Sequence, residues 1–354
     1  MLWAMSPTAS LAAADVLPEG GAVLVVRLSA LGDVLFALET VAALHRERPD
    51  ARIDFLVEDR FAGLLQGHPQ LRSVLVYPRR HKAAIPASLW RLRRQRYDLV
   101  LDLHGIQKSA WHVLLSRGRL KVGAAAPVSR EGAAFAYHRS VAMPGPALHR
   151  AEVGHRLLTA LGFSGESAAP VLPAEPAPAE LFAGLAPPHV LLFPGTSAFA
   201  AFKRWPAARF GELAQRLVAA GRSVLVGCGP GERDLVAPVV AAAPGVRLVD
   251  GGPLGLRGLA GVLGRCAVVV AADTGPLHIA AAMGARCVAL FGPKDSERYG
   301  PRAQVGRPHE VLWAAVPCRP CTRRSCASPQ CVLGISVDAV EAAVQRQCAA
   351  AEAS

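Results

Sequence analysis

An apolar run that ends in a polar glycine turn and leads into an alanine-rich segment limits the folds open to this chain. The run begins at Val268 and ends in Asp273-Thr274-Gly275, and another apolar run follows at residues 287–291. Short apolar runs on either side of a helical segment are typical of parallel strands that are buried on both faces. This stretch therefore predicts a strand, a tight turn, a helix and a second strand.

The turn at Gly275 lies where the helix is predicted to begin. Main-chain N–H groups and the positive end of the helix dipole meet there, which suits an anion such as a diphosphate. Pro276 fits the first helical turn, and Thr274 and His278 would lie towards the same end of the helix. An ordinary strand-to-helix turn with a histidine in the core explains the same residues, and their spacing does not separate the two interpretations.

The same alternation of apolar runs and helical segments occurs in both halves of the chain. Strands are predicted at residues 22–27, 52–57, 73–77, 97–103, 189–193, 223–227, 247–249, 267–271 and 287–291, with helices at 34–48 and 207–220. This pattern predicts an α/β protein with two Rossmann-like domains whose parallel sheets face each other across a cleft. The first loop lacks the G-x-G-x-x-G pattern, which disfavours a dinucleotide oxidoreductase.

Shifts in composition define the boundaries of the predicted domains. Residues 164–188 are rich in Pro, Ala and Glu, which is typical of a linker. The predicted division is a disordered extension at 1–20, an N-terminal domain at 21–163, the linker at 164–188, a C-terminal domain at 189–335, and a C-terminal helix and tail at 336–354.

The overall charge points to anionic partners, because 39 Lys and Arg against 27 Asp and Glu give a net charge of +12. Basic surfaces suit phosphates, anionic lipid or nucleic acid. Nucleic-acid modules usually interleave aromatic residues with such a surface, and aromatics make up only 6% here, so no nucleic-acid partner is expected. No apolar run has the length of a membrane span, and residues 1–20 lack the basic segment of a signal peptide. We therefore expect a cytoplasmic protein with peripheral contact to a membrane.

Asp33 follows Gly32 in the loop after the first predicted strand. A carboxylate at this position can face a ligand and take a proton from an incoming hydroxyl. Its place at the start of a predicted helix also fits a helix N-cap, which is the simpler interpretation of this residue alone.

Hydroxyl groups and a lysine follow the first strand of the second half. Thr196, Ser197 and Lys203 could hold a diphosphate and neutralise charge on a departing phosphate, although Lys203 and Arg204 also fit a solvated basic pair. Glu232 follows another glycine turn and could bind a ribose, with a solvated glutamate in a first helical turn as the alternative.

Polar and basic residues also follow several strands of the first half. They are Arg79, Arg80, Lys82, His104, Lys108 and Arg130. Together they could form an anion-binding wall on the N-terminal domain. A generic basic surface is the alternative, and it explains isolated arginines more easily than a set that follows several strands.

The eight cysteines divide into two sets. One set is scattered and is expected in the core: Cys228, Cys266, Cys287 and Cys348. The other forms a C-x2-C-x4-C-x4-C cluster: Cys318, Cys321, Cys326 and Cys331. Four thiolates could hold zinc or an iron–sulfur centre. The spacing matches no standard framework, so a reduced or redox-labile loop is favoured over a metal site.

Taken together, these motifs resemble the ADP-heptose:lipopolysaccharide heptosyltransferases of glycosyltransferase family 9. They are Ser29-Ala-Leu-Gly-Asp33, Pro194-Gly-Thr-Ser with Lys203-Arg-Trp-Pro206, Gly229-Pro-Gly-Glu232, and Asp273-Thr-Gly-Pro-Leu-His278 with Leu290-Phe-Gly-Pro293. The resemblance extends from Ala22 to Val344. Within the family, residues 79–82, 102–110 and 130–131 look most like those of the type I enzymes.

The resemblance implies a GT-B fold, with the acceptor on the N-terminal domain and ADP-heptose on the C-terminal domain. It implies that Asp33 is the general base and that Lys203 stabilises the leaving ADP. The implied donor-binding residues are Thr196, Ser197, Lys203, Glu232, Asp273, Thr274, Gly275 and His278. The implied acceptor-binding residues are Ser29, Arg79, Arg80, Lys82, His104, Lys108 and Arg130.

The implied reaction moves heptose from ADP-L-glycero-D-manno-heptose to the Kdo of lipid A–Kdo2, with inversion, at the cytoplasmic face of the inner membrane. No Asp-x-Asp motif stands at a cleft position, so ADP-heptose is expected as a substrate with no metal or other cofactor. The alternatives are a heptosyltransferase II, another family 9 transferase with a different core acceptor, and a nucleotide-sugar binding protein without turnover.

Overall fold

The computed structural model describes residues 12–145, 147–304, 307–323 and 325–353. The chain divides into two compact units, unit 1 (Met1–Pro173) and unit 2 (Ala174–Ser354). The division falls inside residues 164–188, the segment predicted to be a linker. Among the described residues, no helix combines the length and the hydrophobicity needed to cross a bilayer.

Unit 1 alternates strands and helices along the chain. Its strands are β1 (Ala22–Val26), β2 (Arg52–Glu58), β3 (Ser73–Tyr77), β4 (Arg96–Asp102), β5 (Arg117–Ala124) and β6 (Arg139–Val141). Its α-helices are α1 (Ala13–Val16), α2 (Leu31–Glu47), α3 (Asp59–Leu65), α4 (Ile85–Arg94), α5 (Gln107–Leu115) and α6 (Arg150–Ala160). Short 3-10 segments lie at Lys82–Ala84 and Ala133–Ala136.

The described strands of unit 1 form one parallel sheet in the order β3-β2-β1-β4-β5-β6. β1 lies at its centre, with Val23 paired to Ile53 on β2 and to Leu99 on β4. All five residues of β1 are apolar and buried. Because successive side chains of a strand point to opposite faces, both faces of the sheet are covered at this strand.

Unit 2 repeats the scheme. Its strands are β7 (His189–Phe193), β8 (Ser223–Cys228), β9 (Arg247–Asp250), β10 (Val268–Ala272), β11 (Arg286–Leu290) and β12 (Glu310–Leu312). Its α-helices are α7 (Ala207–Ala219), α8 (Arg233–Ala242), α9 (Gly251–Arg265), α10 (Gly275–Ala282), α11 (Ser296–Tyr299), α12 (Gln330–Leu333) and α13 (Val337–Glu352). Short 3-10 segments lie at Ala179–Leu181 and Ala198–Lys203.

The described strands of unit 2 are also parallel, in the order β12-β11-β10-β7-β8-β9. This is the same spatial order as in unit 1, since β7 takes the place of β1 and β10 that of β4. On one side of the sheet Trp205 packs edge-to-face on Phe210 at 4.9 Å, in a core that also contains Val340 and Val344 of α13. The predicted class, an α/β protein with two Rossmann-like domains, is confirmed.

The predicted extension at residues 1–20 needs a correction. Residues 1–11 lie outside the described part of the chain, but residues 12–20 are ordered against unit 1. Val16 and Leu17 are buried, and Arg119 donates to the main-chain oxygens of Asp15 and Val16 at 2.8 and 2.7 Å. Apolar burial and these hydrogen bonds fix residues 12–20, so the prediction of disorder is wrong for them.

Three strands of the structure differ from the sequence prediction, and the scattered cysteines agree with it. β5, β6 and β12 were not predicted, and β6 and β12 contain three residues each. The expectation that the four scattered cysteines lie in the core is confirmed, because each of them is buried: Cys228, Cys266, Cys287 and Cys348.

Candidate active site

Each sheet has a point where its strand order reverses, between β1 and β4 in unit 1 and between β7 and β10 in unit 2. Ligands of open α/β sheets bind beyond the carboxyl ends of the strands at such a point. Asp33 and His104 follow β1 and β4, whereas Lys203 and Asp273 follow β7 and β10. The topology therefore concentrates the predicted site residues at one reversal point in each unit.

Asp33 is the third residue of α2, and Ala30, not Asp33, is the N-cap. The Asp33 carboxylate accepts a hydrogen bond from the Ala30 N–H at 3.3 Å, so the N-cap interpretation of this aspartate is wrong by one helical turn. Two arginines face the same carboxylate. Arg27 Nη2 lies 2.6 Å from Oδ2, and Arg150 Nε lies 3.6 Å from Oδ1.

The surroundings of Asp33 keep its carboxylate ionised. Burial raises the pKa of Asp33, but the charges of Arg27 and Arg150 and the hydrogen bond from Ala30 outweigh it, so the pKa lies below its ordinary value. The side chains of Arg27 and Arg150 are less than one-tenth exposed, whereas that of Asp33 is 21% exposed. Among these three side chains, that of Asp33 is therefore the most exposed, although its Oδ1 atom is buried.

His104 lies at the end of β4 as a neutral imidazole. Burial, helped by the charge of Arg27, lowers the pKa of His104 to about 2. Its Nδ1 atom is buried and has no hydrogen-bond partner within the described part of the protein. Beneath it, the Asp102 carboxylate accepts hydrogen bonds from the N–H groups of His104 and Gly105 at 2.9 and 3.2 Å, which fixes the turn. A neutral ring with an unsatisfied nitrogen suits contact with a polar ligand.

Two of the predicted acceptor-binding cations converge on a buried carboxylate. Lys108 Nζ lies 2.5 Å from Glu58 Oε1, and Arg79 Nη1 lies 3.3 Å from Glu58 Oε2. Burial raises the pKa of Glu58, but Lys108 and Arg60 outweigh it, so the pKa is lowered. Glu58 therefore neutralises part of the predicted basic wall and holds Lys108 and Arg79 in place.

The remaining predicted acceptor-binding residues are not drawn into this cluster. Arg80 is exposed and donates its main-chain N–H to Asp59 at 3.0 Å. Lys82 is exposed at the start of a 3-10 segment, and the side chain of Arg130 is exposed while its N–H bonds to Gly105 O. Ser29 is half-buried between β1 and α2.

In unit 2, Lys203 and Asp273 form a largely buried ion pair. Lys203 Nζ lies 2.5 Å from Asp273 Oδ2, and His278 Nε2 lies 3.6 Å from Oδ1. Burial raises the pKa of Asp273, but His278 and Lys203 outweigh it and lower the pKa to about 2. The Lys203–Asp273 pair places the lysine beside the start of α10. His278 is buried, as a core histidine would be, and it also contacts Asp273.

Thr196 is buried in the turn after β7. Its hydroxyl donates to Ala200 O at 3.1 Å and accepts a hydrogen bond from Arg204 Nε at 2.9 Å. Arg204 also donates to Thr196 O at 2.6 Å. The Thr196 hydroxyl is thus committed to the turn, whereas Ser197 is exposed and its side chain remains accessible to a ligand.

The start of α10 has the predicted strand–turn–helix geometry. Thr274 is the N-cap and Gly275 the first helical residue, but the Thr274 hydroxyl donates back to Ala272 O at 3.0 Å instead of capping the helix. The first N–H groups of α10 therefore lack a side-chain cap at the point where Lys203 and Asp273 meet. Such an end is suited to an anion.

Glu232 is the N-cap of α8 and accepts a hydrogen bond from the Gly229 N–H at 2.8 Å. A Cβ atom built on Gly195 would lie 2.0 Å from Glu232 Oε2. Glycine at position 195 therefore permits the carboxylate to approach the turn after β7. This places Glu232 beside the Pro194–Ser197 turn, as a donor-binding role would require.

Gly195→Ala is expected to lower the free energy of unfolding by about 1 kcal/mol, because the new methyl group displaces Glu232 from its hydrogen bond with Gly229. Urea unfolding measures this change. Gly63→Ala is the matched control, since its Cβ would meet no atom within 4 Å and alanine favours the helix α3. A loss of stability of equal size in both variants would contradict the close approach of Glu232.

The four clustered cysteines do not form a metal-binding arrangement. Cys331 is buried, whereas Cys318 and Cys326 are exposed. Burial raises the pKa of the Cys331 thiol, and the nearby Cys318, Cys326 and Cys321 raise it further. Within the described ranges, no group of three or more His, Cys, Asp or Glu side chains is arranged to hold a metal ion.

Comparison with known proteins decides the family. The sequence model of glycosyltransferase family 9 (heptosyltransferase) matches residues 87–332, which is more than half of the chain. The chain belongs to glycosyltransferase family 9. The resemblance seen in the sequence motifs is therefore confirmed, and the family 9 protein described here is a glycosyltransferase.

Curated relatives cover most of this family 9 chain. Lipopolysaccharide heptosyltransferase 1 of Pseudomonas aeruginosa is 29% identical over 324 residues, which is 86% of this chain and 87% of the relative. Lipopolysaccharide heptosyltransferase 1 of Escherichia coli K12 is 27% identical and covers 77% of this chain and 88% of its own.

Solved structures share the fold over more than nine-tenths of this family 9 chain. A family 9 glycosyltransferase from Veillonella parvula has a TM-score of 0.77 at 20% identity and covers 94% of this chain and 98% of its own. Escherichia coli heptosyltransferase WaaC with ADP has a TM-score of 0.73 at 23% identity, covering 94% and 100%. These similarities and the two parallel sheets confirm the predicted GT-B fold class.

Four residues whose contacts the sequence did not indicate support the family 9 site, and one of them, Arg204, is not the solvated residue that the sequence allowed. Arg27 and Arg150 hold Asp33, Glu58 holds Lys108, and Arg204 holds Thr196. Arg27 could have been noticed as a charged residue that ends an apolar strand, and charged residues are rarely buried unless they are paired. Arg150 lies far from Asp33 in the sequence, and no local pattern connects them.

Proposed function

We propose that this protein is an inverting heptosyltransferase that moves heptose from ADP-L-glycero-D-manno-heptose to the Kdo of lipid A–Kdo2, in the assembly of the lipopolysaccharide inner core. The observation that carries the proposal is the ionised Asp33 at the reversal point of unit 1, held by Arg27 and Arg150. An ionised carboxylate can accept the proton that an attacking sugar hydroxyl must lose.

On the donor side, unit 2 supplies charge stabilisation. The C1–oxygen bond between heptose and diphosphate breaks, and its electron pair moves to the departing ADP. Lys203, the uncapped start of α10 and the exposed Ser197 stabilise the growing negative charge, while Glu232 contacts the ribose. We assign this stabilisation to the protein's own groups, with no metal ion in the step.

On the acceptor side, unit 1 supplies the base. The acceptor hydroxyl oxygen bonds to C1 of the heptose from the face opposite the diphosphate, and its proton passes to Asp33. A single displacement of this kind inverts the anomeric centre. The lowered pKa of Asp33 means that proton transfer occurs late, after the hydroxyl has become acidic through bond formation.

The contact between Arg150 and Asp33 allows a bound acceptor to change the pKa of Asp33. Its contact with Asp33, at 3.6 Å, is longer than the 2.6 Å contact of Arg27. An acceptor carboxylate that binds Arg150 weakens this longer ion pair and raises the pKa of Asp33 towards the range of an efficient base. The carboxylate of Kdo has the required charge.

The acceptor-binding residues match an anionic lipid. Arg80, Lys82 and Arg130 are exposed cations on unit 1, and we assign them, with Lys108 and Arg79, to the acidic Kdo groups and the lipid A phosphates. Since that acceptor is anchored in a bilayer, the protein acts as a cytoplasmic enzyme at the inner face of the cytoplasmic membrane.

The relatives favour the type I acceptor. The match to heptosyltransferase 1 of Pseudomonas aeruginosa, at 29% identity, exceeds the 25% match to heptosyltransferase 2 of Salmonella typhimurium. The test is incubation of the purified protein with ADP-heptose and lipid A–Kdo2. We expect release of ADP and an acceptor that is heavier by one heptose; no such product would refute the proposal.

A further inference from the structure

Several large apolar side chains are exposed on neighbouring elements of unit 1. Trp111 and Leu114 lie on α5, Phe135 lies in the Ala133–Ala136 segment, and Trp90 lies on α4. Trp111 and Phe135 are each 50% exposed and pack edge-to-face at 5.4 Å. We call Trp90, Trp111, Leu114 and Phe135 the α4–α5 surface. Exposed apolar side chains that lie together, unlike those scattered singly, mark sites of contact with a protein or a membrane.

Hydrogen bonding joins the two helices that carry this surface. Arg93, in the last turn of α4, donates to Leu115 O at the end of α5 at 3.1 Å. Lys121 donates to Leu114 O at 2.9 Å and so holds the same helix end from β5. The exposed side chains are therefore mounted on elements with fixed positions.

The surroundings of the α4–α5 surface are strongly basic. Residues 60–97 contain nine Lys and Arg and no Asp or Glu, and residues 103–130 contain five Lys and Arg and no Asp or Glu. Arg91 and Arg94 are exposed on α4, and the Arg94 guanidinium lies 4.6 Å from the centre of the Trp90 ring. Glu131, which accepts the Gln107 N–H at 3.2 Å, is a carboxylate at the start of α5, but cations outnumber carboxylates around these side chains. Exposed aromatics in mainly cationic surroundings have the chemistry of an interfacial membrane segment.

We propose that the α4–α5 surface binds the protein to an anionic lipid bilayer. Tryptophan and phenylalanine enter the headgroup region, while the arginines keep their charges at the level of the lipid phosphates. The surface is continuous with the acceptor-binding residues, because Lys108 lies in the first turn of α5. The inference rests on the proposed membrane acceptor and adds the residues by which the protein meets the bilayer.

Sedimentation with vesicles tests the proposal. We expect the full-length protein to bind vesicles of phosphatidylethanolamine and phosphatidylglycerol (3:1), and Trp111→Ser/Phe135→Ser to bind them about tenfold more weakly. Trp313→Ser is the matched control, because Trp313 is an exposed tryptophan in unit 2 that also stacks with an arginine, Arg319 at 4.2 Å. Circular dichroism and thermal unfolding verify that all variants are folded.

A charge variant and a soluble acceptor separate this proposal from the proposed function. Arg91→Gln/Arg94→Gln should also weaken vesicle binding, and higher salt should weaken binding of the unmodified protein. With a water-soluble acceptor that lacks acyl chains, the aromatic double variant should keep its heptosyl transfer. Absence of transfer by the unmodified protein would refute the function alone. The membrane-binding proposal would be overturned if the aromatic variant bound vesicles as well as the unmodified protein does, whether or not it had lost self-association.

Discussion

Asp33→Asn is expected to lower kcat for heptosyl transfer by about a thousandfold, because the amide cannot accept the proton of the acceptor hydroxyl. The substitution keeps the size of the side chain and an oxygen that can accept the Ala30 N–H. Binding of ADP by unit 2 should be unchanged, and isothermal titration calorimetry measures it. If the unmodified protein transfers heptose and this variant binds ADP but does not, the protein is an enzyme and not a nucleotide-sugar binding protein without turnover.

Asp338→Asn is the matched control for Asp33, since Asp338 also lies in the first turn of a helix and faces an arginine, Arg216 at 2.7 Å. It should transfer heptose at the rate of the unmodified protein. Because the pKa of Asp33 is lowered, kcat/KM should stay level as the pH falls from 7 and decline only below about pH 4. An Asp33→Asn variant within tenfold of the unmodified kcat would show that another group is the base.

Lys203→Met is expected to reduce kcat by about a hundredfold to a thousandfold, because it removes the cation that stabilises the departing diphosphate. The assay is run in EDTA, so that no divalent ion can replace the lost charge. Lys203→Arg keeps the charge and should recover part of the rate.

A structural role of Lys203 has to be separated from its role in transfer. Lys203→Met leaves the buried charge of Asp273 with His278 as its one remaining partner in these ion pairs. The loss of the lysine is therefore expected to lower the free energy of unfolding. Adding Asp273→Asn removes that charge, so Lys203→Met/Asp273→Asn should recover stability in urea unfolding but not the rate. Recovery of both would mean that the lysine acts only by holding the fold.

The sequence predicted the central strands of both sheets and missed strands whose side chains are not uniformly apolar. β1 and β10 are continuous apolar runs, because both of their faces are buried. β5 begins Arg117-Gly-Arg119, with a partly exposed first half, and carries no such signal. β6 and β12 are three-residue edge strands, and their pairing with a neighbour defines them more than their composition does.

For the candidate site too, features that are local in the sequence could be predicted and contacts between distant residues could not. Asp273 could be predicted because it directly follows a strand, and Asp33 because it lies in the first turn of the helix after one. The ion pairs of these carboxylates with Arg150 and with Lys203 could not be predicted, because they form through tertiary packing. The positive charge of the predicted basic wall is smaller than the sequence indicates, because the buried Glu58 neutralises Lys108. In the sequence, Glu58 is only the residue that ends a predicted strand, and nothing there connects it to Lys108.

Competition between two acceptors tests the central claim most directly. The protein is given ADP-heptose with equal amounts of lipid A–Kdo2 and of the same lipid already carrying one heptose, and the products are resolved by mass spectrometry. We expect that only lipid A–Kdo2 gains a heptose at first. Transfer to the heptosylated acceptor alone would contradict the type I assignment and make the protein a heptosyltransferase of the second type.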